Sequence, residues 1–299
     1  MENKVYDLIA RIEDGLGRFS KGQKLIANYI IEHYDKAAFM TAAKLGEVVG
    51  VSESTVVRFA NEVGFDGYPK LQKMLQELIK SKLTPVQRLE VSSNRIGEEN
   101  ILKSVLQSDM EKIKVTLEEI DQEAFNKVVD SLINARKIYI LGVRSSATLA
   151  SFLGFYFNII FDNIRLVHTT SVSEMFEQIM KASEGDVVIG ISFPRYSKRT
   201  IKAMQYVKSQ GATVIAITDS KESPLAAHAD LLLTARSDMA SFADSLVAPL
   251  SVINALIVAI GMRKKQEVYD NFEKLEKIWD EYEVYEKYDN VGSRKNKDY

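Results

Sequence analysis

The sequence predicts two domains of different class. An all-α domain occupies residues 1–80, and an α/β domain built on a doubly wound, five-stranded parallel sheet occupies 101–262. Three observations predict this. Apolar residues in the first part of the chain recur at helical spacing. Five short apolar runs rich in β-branched residues then follow: "KIYILGV" (137–143), "IRLVH" (164–168), "DVVIGIS" (186–192), "TVIAIT" (213–218) and "LLLTA" (231–235). Helical patterns separate most of them, and apolar strands alternating with helices belong in a parallel sheet covered on both faces. Between the halves, "SKLTPVQRLEVSSNRIGEEN" (81–100) loses all periodicity and collects Pro, Ser, Asn and Gly, so it reads as a linker.

Taken in order, Ser20 and Gln23 form a capping-box pattern, and Leu25, Ile26, Tyr29 and Ile30 continue at helical spacing. Thr41 can cap a second helix through Val49, and Ser52 a third through about Val63. Pro69 suits the first turn of a fourth, whose Leu71, Met74, Leu75 and Leu78 share one face. A helical segment over about 98–133 leads into the first strand. After Gly261 the chain reads as a charged helix with a Tyr/Trp/Leu stripe and then a disordered end (263–299). That stripe is expected to pack on a partner subunit or on the body of the protein.

Composition narrows the function classes. The chain has 299 residues, 46% of them hydrophobic and 27% charged. It has no cysteine, so it can form neither a disulfide framework nor a thiolate metal site. No carboxylate or histidine cluster has metal-ligand spacing, and the glycine-rich loops for ATP and dinucleotides are absent; no cofactor is expected. The N-terminus is charged, and the longest apolar region, Leu246 to Met262, is interrupted by Pro249, Ser251 and Asn254. A cytoplasmic protein with no membrane association is the expectation. Residues 1–82 carry twelve basic and eleven acidic side chains, so any nucleic-acid contact must come from local placement of charge.

Residues Ala42 to Asn61, "AAKLGEVVGVSESTVVRFAN", carry that placement. Gly46 falls where two helices must approach closely, and Gly50 where the turn needs positive φ. Leu45, Val49, Val51, Val56 and Phe59 fall inward. Ser52 caps the next helix, leaving Glu53, Ser54, Thr55 and Arg58 outward on its first turns. An apolar back with short polar and basic residues near the N-terminus suits a helix entering the major groove. Lys44, Arg58, Lys70 and Lys73 are the candidate phosphate contacts. The alternative is a helical hairpin with solvated charges.

Here the sequence resembles a known family. "FSKGQKLIANYI" and "FMTAAKLGEVVGVSESTVVRFANEVGFDGYPKLQ" look like the N-terminal domain of RpiR-family bacterial transcription regulators. Arg58, Phe59, Gly64, Phe65, Gly67 and Tyr68 fall on the family pattern. The resemblance implies a second domain of the sugar isomerase (SIS) type, in which two strand-to-helix loops hold a phosphosugar. "LGVRSSATLA" matches the first loop, with Gly142 at the turn and Ser146 on the ligand serine; Arg144 stands where a second glycine is common. "GISFPRYSKRT" matches the second through Ser192 and Ser197, with Pro194 and Arg195 replacing the usual Ser-Gly pair.

The chemistry can also be read from the residues alone. Ser145, Ser146, Ser192 and Ser197 lie at strand-to-helix junctions, where free N–H groups favour anions. Arg144 and Arg195 add forked donors suited to phosphate or carboxylate. The alternative is that the serines are caps and the arginines solvated. Thr218 and Ser220 are weaker candidates, and Lys198 and Arg199 are expected on the exposed side of the following helix. Isomerisation would need a base, and only His33, His168 and His228 are available as histidines, with Glu174 the best-placed carboxylate. No Glu/His pair has convincing spacing. The expectation is a non-enzymatic, dimeric or higher-order regulator of sugar-metabolism genes, binding operator DNA and an anionic sugar; the alternative is a sugar-phosphate isomerase with a helical appendage.

Overall fold

The computed structural model describes residues 2–82, 100–169, 171–237 and 243–285. Most of the expected linker, and residues 286–299 with the end expected to be disordered, lie outside these residues.

The head contains five helices: α1 (Glu2–Gly15), α2 (Lys21–Ala37), α3 (Ala42–Val49), α4 (Glu53–Glu62) and α5 (Tyr68–Lys82). Their starts follow the local chemistry. Ser20 and Gln23 form both bonds of a capping box on α2. Thr41 accepts the Lys44 N–H at 3.2 Å, and Ser52 accepts the Thr55 N–H at 3.3 Å. Leu8, Ile12, Ile26, Ile30, Leu45, Val56, Phe59, Leu71 and Leu75 are fully buried and form one core. The Phe19 ring meets Phe59 edge-on at 5.2 Å.

The second part begins with α6 (Ile101–Glu119) and α7 (Gln122–Ile133), two helices where the sequence suggested one. The break is chemical: Asp121 Oδ1 accepts the N–H groups of Glu123 and Ala124 at 2.9 and 3.0 Å and starts a new helix. Then follow β1 (Lys137–Gly142), α8 (Ser145–Ile160), β2 (Ile164–Val167), α9 (Val172–Ile179), β3 (Asp186–Ile191), α10 (Lys198–Ser209), β4 (Thr213–Thr218), β5 (Leu231–Thr234), α11 (Val247–Arg263) and α12 (Lys265–Glu281).

All five strands are parallel, in the order β2-β1-β3-β4-β5. Alternate strand residues serve opposite faces. Ile138, Ile140, Ile189, Ile191, Ile215 and Ile217 pack with Leu149, Leu153 and Phe157 of α8 and Leu256 of α11. Tyr139, Leu141, Val188, Val214 and Ala216 pack with α9 and α10 through Met175, Ile179, Met204 and Val207. At the N-terminal edge, buried Asp186 takes a forked pair of hydrogen bonds from Arg136, both at 2.9 Å. No single helix among the described residues is long and apolar enough to cross a membrane.

The sheet order places a topological switch point between β1 and β3. The chain leaves β1 toward β2 on one side and leaves β3 toward β4 on the other, so the loops after these strands diverge and open a crevice.

Candidate functional site

In the head, the turn joining α3 to α4 has the geometry its glycines require. Gly50 sits at φ 74°, and a Cβ on Gly46 would lie 2.7 Å from the Val51 carbonyl oxygen. The inward set is as expected: Leu45, Val56 and Phe59 are fully buried, while Val49 and Val51 are partly so. Glu53, Ser54 and Arg58 are exposed on α4, and Thr55 is half-buried.

Ser52 does double duty in a small hydroxyl cluster. Besides capping α4, its Oγ lies 2.9 Å from Ser54 Oγ and 2.8 Å from Thr55 Oγ1. Arg58 lies back along the helix, donating from Nε to the Ser54 carbonyl at 3.2 Å and from Nη2 to Ser54 Oγ at 3.4 Å. Lys44 pairs with Glu47 at 3.0 Å and Lys70 with Asp66 at 2.7 Å, each on the exposed surface. The Lys70 hydrogen bond and charge hold the Asp66 carboxyl below its usual range. These pairs are weak, so the lysines remain available to an outside phosphate.

One stabilising feature escaped the sequence reading. Tyr68, 3% exposed, donates its hydroxyl to the Met40 carbonyl at 2.9 Å and the Ala37 carbonyl at 3.2 Å. Gln72 adds a bond to Met40 O at 2.8 Å and Gln76 one to Ala38 O at 3.0 Å. Together they hold the α2–α3 corner from α5. Burial pushes the Tyr68 hydroxyl up to about 12. The sequence marked Tyr68 through the family pattern, but nothing local pointed to its carbonyl partners.

In the α/β part, a cavity of about 490 Å³ opens at the switch point. Its walls are Val143 to Ser146 from the β1–α8 loop, Ser192 to Arg195 and Ser197 from the β3–α10 loop, and Ala243 and Asp244 from the segment preceding α11. Six of the seven residues singled out for anion binding are therefore brought together. Gly142 is the exception. It ends β1, and a Cβ there would lie 2.4 Å from the Ser146 carbonyl oxygen, so its role is to let α8 sit against the strand. The turn itself is made by Val143 and Arg144.

Both arginines have left-handed backbone. Arg144 lies at φ 58°, ψ −129°, and Arg195 at φ 66°. Side chains rarely adopt this region, and each such residue costs about 1–3 kcal/mol. Both guanidinium groups are exposed, and no hydrogen bond or ion pair engages either one within the described residues. Arg144 occupies the N-cap position of α8 without a side-chain cap; the Ala147 N–H is taken by the Arg144 carbonyl at 3.0 Å, and the N–H groups of Ser145 and Ser146 before it keep their donor capacity.

The serines differ in what they have left to offer. Ser146 is 5% exposed and its hydroxyl is unbonded in the described residues. Ser192 Oγ accepts the Ser197 N–H at 3.2 Å, and Ser197 Oγ accepts the Thr200 N–H at 3.4 Å. Each acts as a brace or a cap, yet a hydroxyl that accepts from an N–H retains its own proton to donate. Tyr196 fastens the same loop to the end of β4, donating to Asp219 Oδ1 at 2.8 Å; Thr218 Oγ1 lies 3.2 Å from that oxygen.

Thr218, His168 and Glu174 do not line the cavity. Thr218 is fully buried. Glu174 belongs to the start of α9, where it accepts from Thr169 Oγ1 and its N–H meets Ser171 Oγ at 3.5 Å. Lys198 and Arg199 are exposed. The third wall, Ala243 and Asp244, was not anticipated, because nothing in the local sequence points back to loops so far upstream.

Comparison with known proteins agrees with both halves. The profile of the rpiR-family helix-turn-helix domain matches residues 6–82, and that of the SIS domain matches residues 131–259. The regulator HexR of Escherichia coli is 27% identical over 278 residues, covering 90% of this chain and 93% of HexR. An uncharacterised HTH-type transcriptional regulator of Caldanaerobacter subterraneus is 26% identical over 280 residues, covering 91% and 96%. Among solved structures, NanR of Vibrio vulnificus complexed with ManNAc-6P aligns with TM-score 0.57 and 21% identity over 92% of this chain and 98% of NanR. The sugar isomerase domain of an RpiR transcription factor from Sphaerobacter thermophilus aligns with TM-score 0.57 and 24% identity, covering 60% and 99%.

Proposed function

Since the chain belongs to the rpiR family of helix-turn-helix transcription regulators, we propose that its DNA affinity is set by an anionic sugar bound in the cavity at the switch point. The observation that carries this reading is the pair of unengaged arginines on opposite walls, each leading into a helix N-terminus. Two such donor clusters suit a phosphate or carboxylate. Asp244 on the third wall adds carboxylate oxygens, which accept from sugar hydroxyls. The phosphosugar bound by NanR is of this chemical class.

On this reading α4 enters the major groove through Glu53, Ser54, Thr55 and Arg58, with Ser52 holding the helix start and Lys44, Lys70 and Lys73 on phosphates. Two copies pair and present two recognition helices about one DNA turn, or a multiple of it, apart. Exposed apolar residues support pairing: Leu102, Leu106, Met110 and Leu117 on α6, and Tyr269 and Ile278 on α12. The protein works in the cytoplasm and senses rather than turns over its ligand. A cavity wall without histidine, with His168 and Glu174 elsewhere, supports sensing.

A crossed experiment tests this. Arg58→Ala should weaken operator binding and leave stabilisation by a panel of phosphosugars and sugar acids unchanged. Ser146→Ala/Arg195→Ala should abolish that stabilisation and leave operator binding without ligand intact. Turnover of any panel member would overturn the sensing role.

A further inference from the structure

α6 is the first helix after residues 83–99, the stretch that leads from the head to the α/β part. It carries two charged side chains that are nearly buried. Lys112 is 5% exposed and the side chain of Asp109 is 18% exposed. Lys112 Nζ donates to Ser108 Oγ at 2.8 Å and pairs with Asp109 Oδ1 at 3.3 Å. The same Asp109 oxygen accepts the hydroxyl of Ser245 at 2.7 Å.

Ser245 follows directly on Ala243 and Asp244, the third wall of the cavity. Its carbonyl accepts Ser237 Oγ at 3.0 Å. Further along α6, Thr116 Oγ1 accepts the Arg236 N–H at 2.9 Å, and Glu119 pairs with the Arg236 guanidinium. One helix therefore grips the chain both where it leaves β5 and where it returns past the cavity to α11.

A buried ion pair is an inefficient source of stability, because the loss of hydration offsets most of the attraction. It is an effective way to fix register. Asp109 Oδ1 can serve Lys112 and Ser245 together at only one position of α6 against the cavity wall. Lys112 and Asp109 lie on the same helix and move together, so a slide of α6 leaves their pair intact and breaks the Ser245–Asp109 bond, which is therefore either made or broken.

We propose that the Lys112–Asp109–Ser245 linkage is the coupling element between the cavity and the head. Asp109 and Lys112 act as positioning residues for the Asp244 wall. An anion settling between the arginines comes close to the Asp244 carboxylate and shifts that wall. Ser245 passes the displacement to Asp109, and α6 carries it to the stretch leading to the head. The inference rests on the cavity being the anion site, and a two-state element biased from both ends is what coupling requires.

The test uses full-length protein, inorganic phosphate as the probe, and two readouts: melting temperature and amide hydrogen exchange across α6. In the wild type, phosphate should raise the melting temperature and change exchange over residues 101–119 by about threefold. Two variants interrupt the linkage: Ser245→Ala, which strands no charge, and Asp109→Leu/Lys112→Met, which removes the ion pair and the acceptor of the Ser245 hydroxyl together. Both should keep the phosphate-induced rise in melting temperature and lose the α6 response. A response that persists in both variants, or is absent from the wild type while phosphate still stabilises it, overturns the coupling role alone. No stabilisation of the wild type by phosphate, together with none by the sugar panel, removes the anion site and the coupling with it. The readout is the phosphate-induced difference, so a merely weakened α6 does not imitate the result.

Discussion

The turn between α3 and α4 is set within one short stretch, Thr41 to Ser52, whereas the cavity draws on three segments far apart in sequence: 143–146, 192–197 and 243–244. Every bond that shapes the turn is local. Thr41 caps α3, Gly50 reverses the chain, Ser52 caps α4, and Gly46 lets the two helices touch. The cavity depends on a sheet order that brings the ends of β1 and β3 side by side, and on a returning segment tied down by α6. Damage to the head should therefore leave the cavity intact, whereas damage to any of its three segments or to α6 should disturb it.

The largest effect that probes this difference is Phe59→Ala. Phe59 is fully buried against Phe19 at the centre of the head core. Its truncation should cost about 3–5 kcal/mol, enough to unfold the head and abolish operator binding. Phosphate should still raise the melting temperature of the α/β part. Loss of that rise would mean the cavity depends on the head and would break the contrast.

A smaller effect tests how far the head is local. Tyr68 reaches from α5 across to the α2–α3 corner, so residues distant in sequence help hold the start of α3. Tyr68→Phe should cost about 1 kcal/mol by removing a buried hydrogen bond, since Gln72 still serves the Met40 carbonyl and the Met40 N–H that of Ala37. The hydroxyl has a second, pH-dependent signature. Its pKa is raised from 10.0 to about 12 by burial, so its contribution is fully present below pH 10 and disappears as pH rises through 12. Urea unfolding at pH 9 and pH 11.5 should show an alkaline loss in the wild type that is smaller in Tyr68→Phe. Equal losses would mean that Tyr68 titrates as it does in the unfolded chain.

What the sequence disclosed follows the same division. The caps, the turn glycines and the apolar faces of α3 and α4 were legible, because each depends on neighbours within a helical turn or two. The five strands were legible from their apolar runs, and their parallel arrangement from the helices between them. Two walls of the cavity could be placed from Ser146, Ser192 and the arginines, since each loop follows directly on a strand. Asp244 and the Asp109–Ser245 link could not, because contacts at that sequence separation leave no periodic trace. The split between α6 and α7 was overlooked for a different reason: Asp121 stops one helix by capping the next, without a glycine or proline to mark it.

The smallest effect on stability concerns the two arginines, and there the sign matters more than the size. At φ 58° and 66° they hold conformations that suit glycine. Arg144→Gly and Arg195→Gly should each relieve that strain and raise stability by about 0.5–1 kcal/mol, net of the greater freedom of glycine when unfolded. Each should also weaken phosphate binding about tenfold, since a charge-assisted contact is lost. Stability and affinity would then move in opposite directions at the same residue, which is what strain stored at a binding site produces. Thermal melts with and without phosphate read both quantities from one sample. If either substitution left phosphate stabilisation unchanged, that arginine would be a solvated turn residue, and anion recognition in the cavity would rest on the serines and helix N-termini alone.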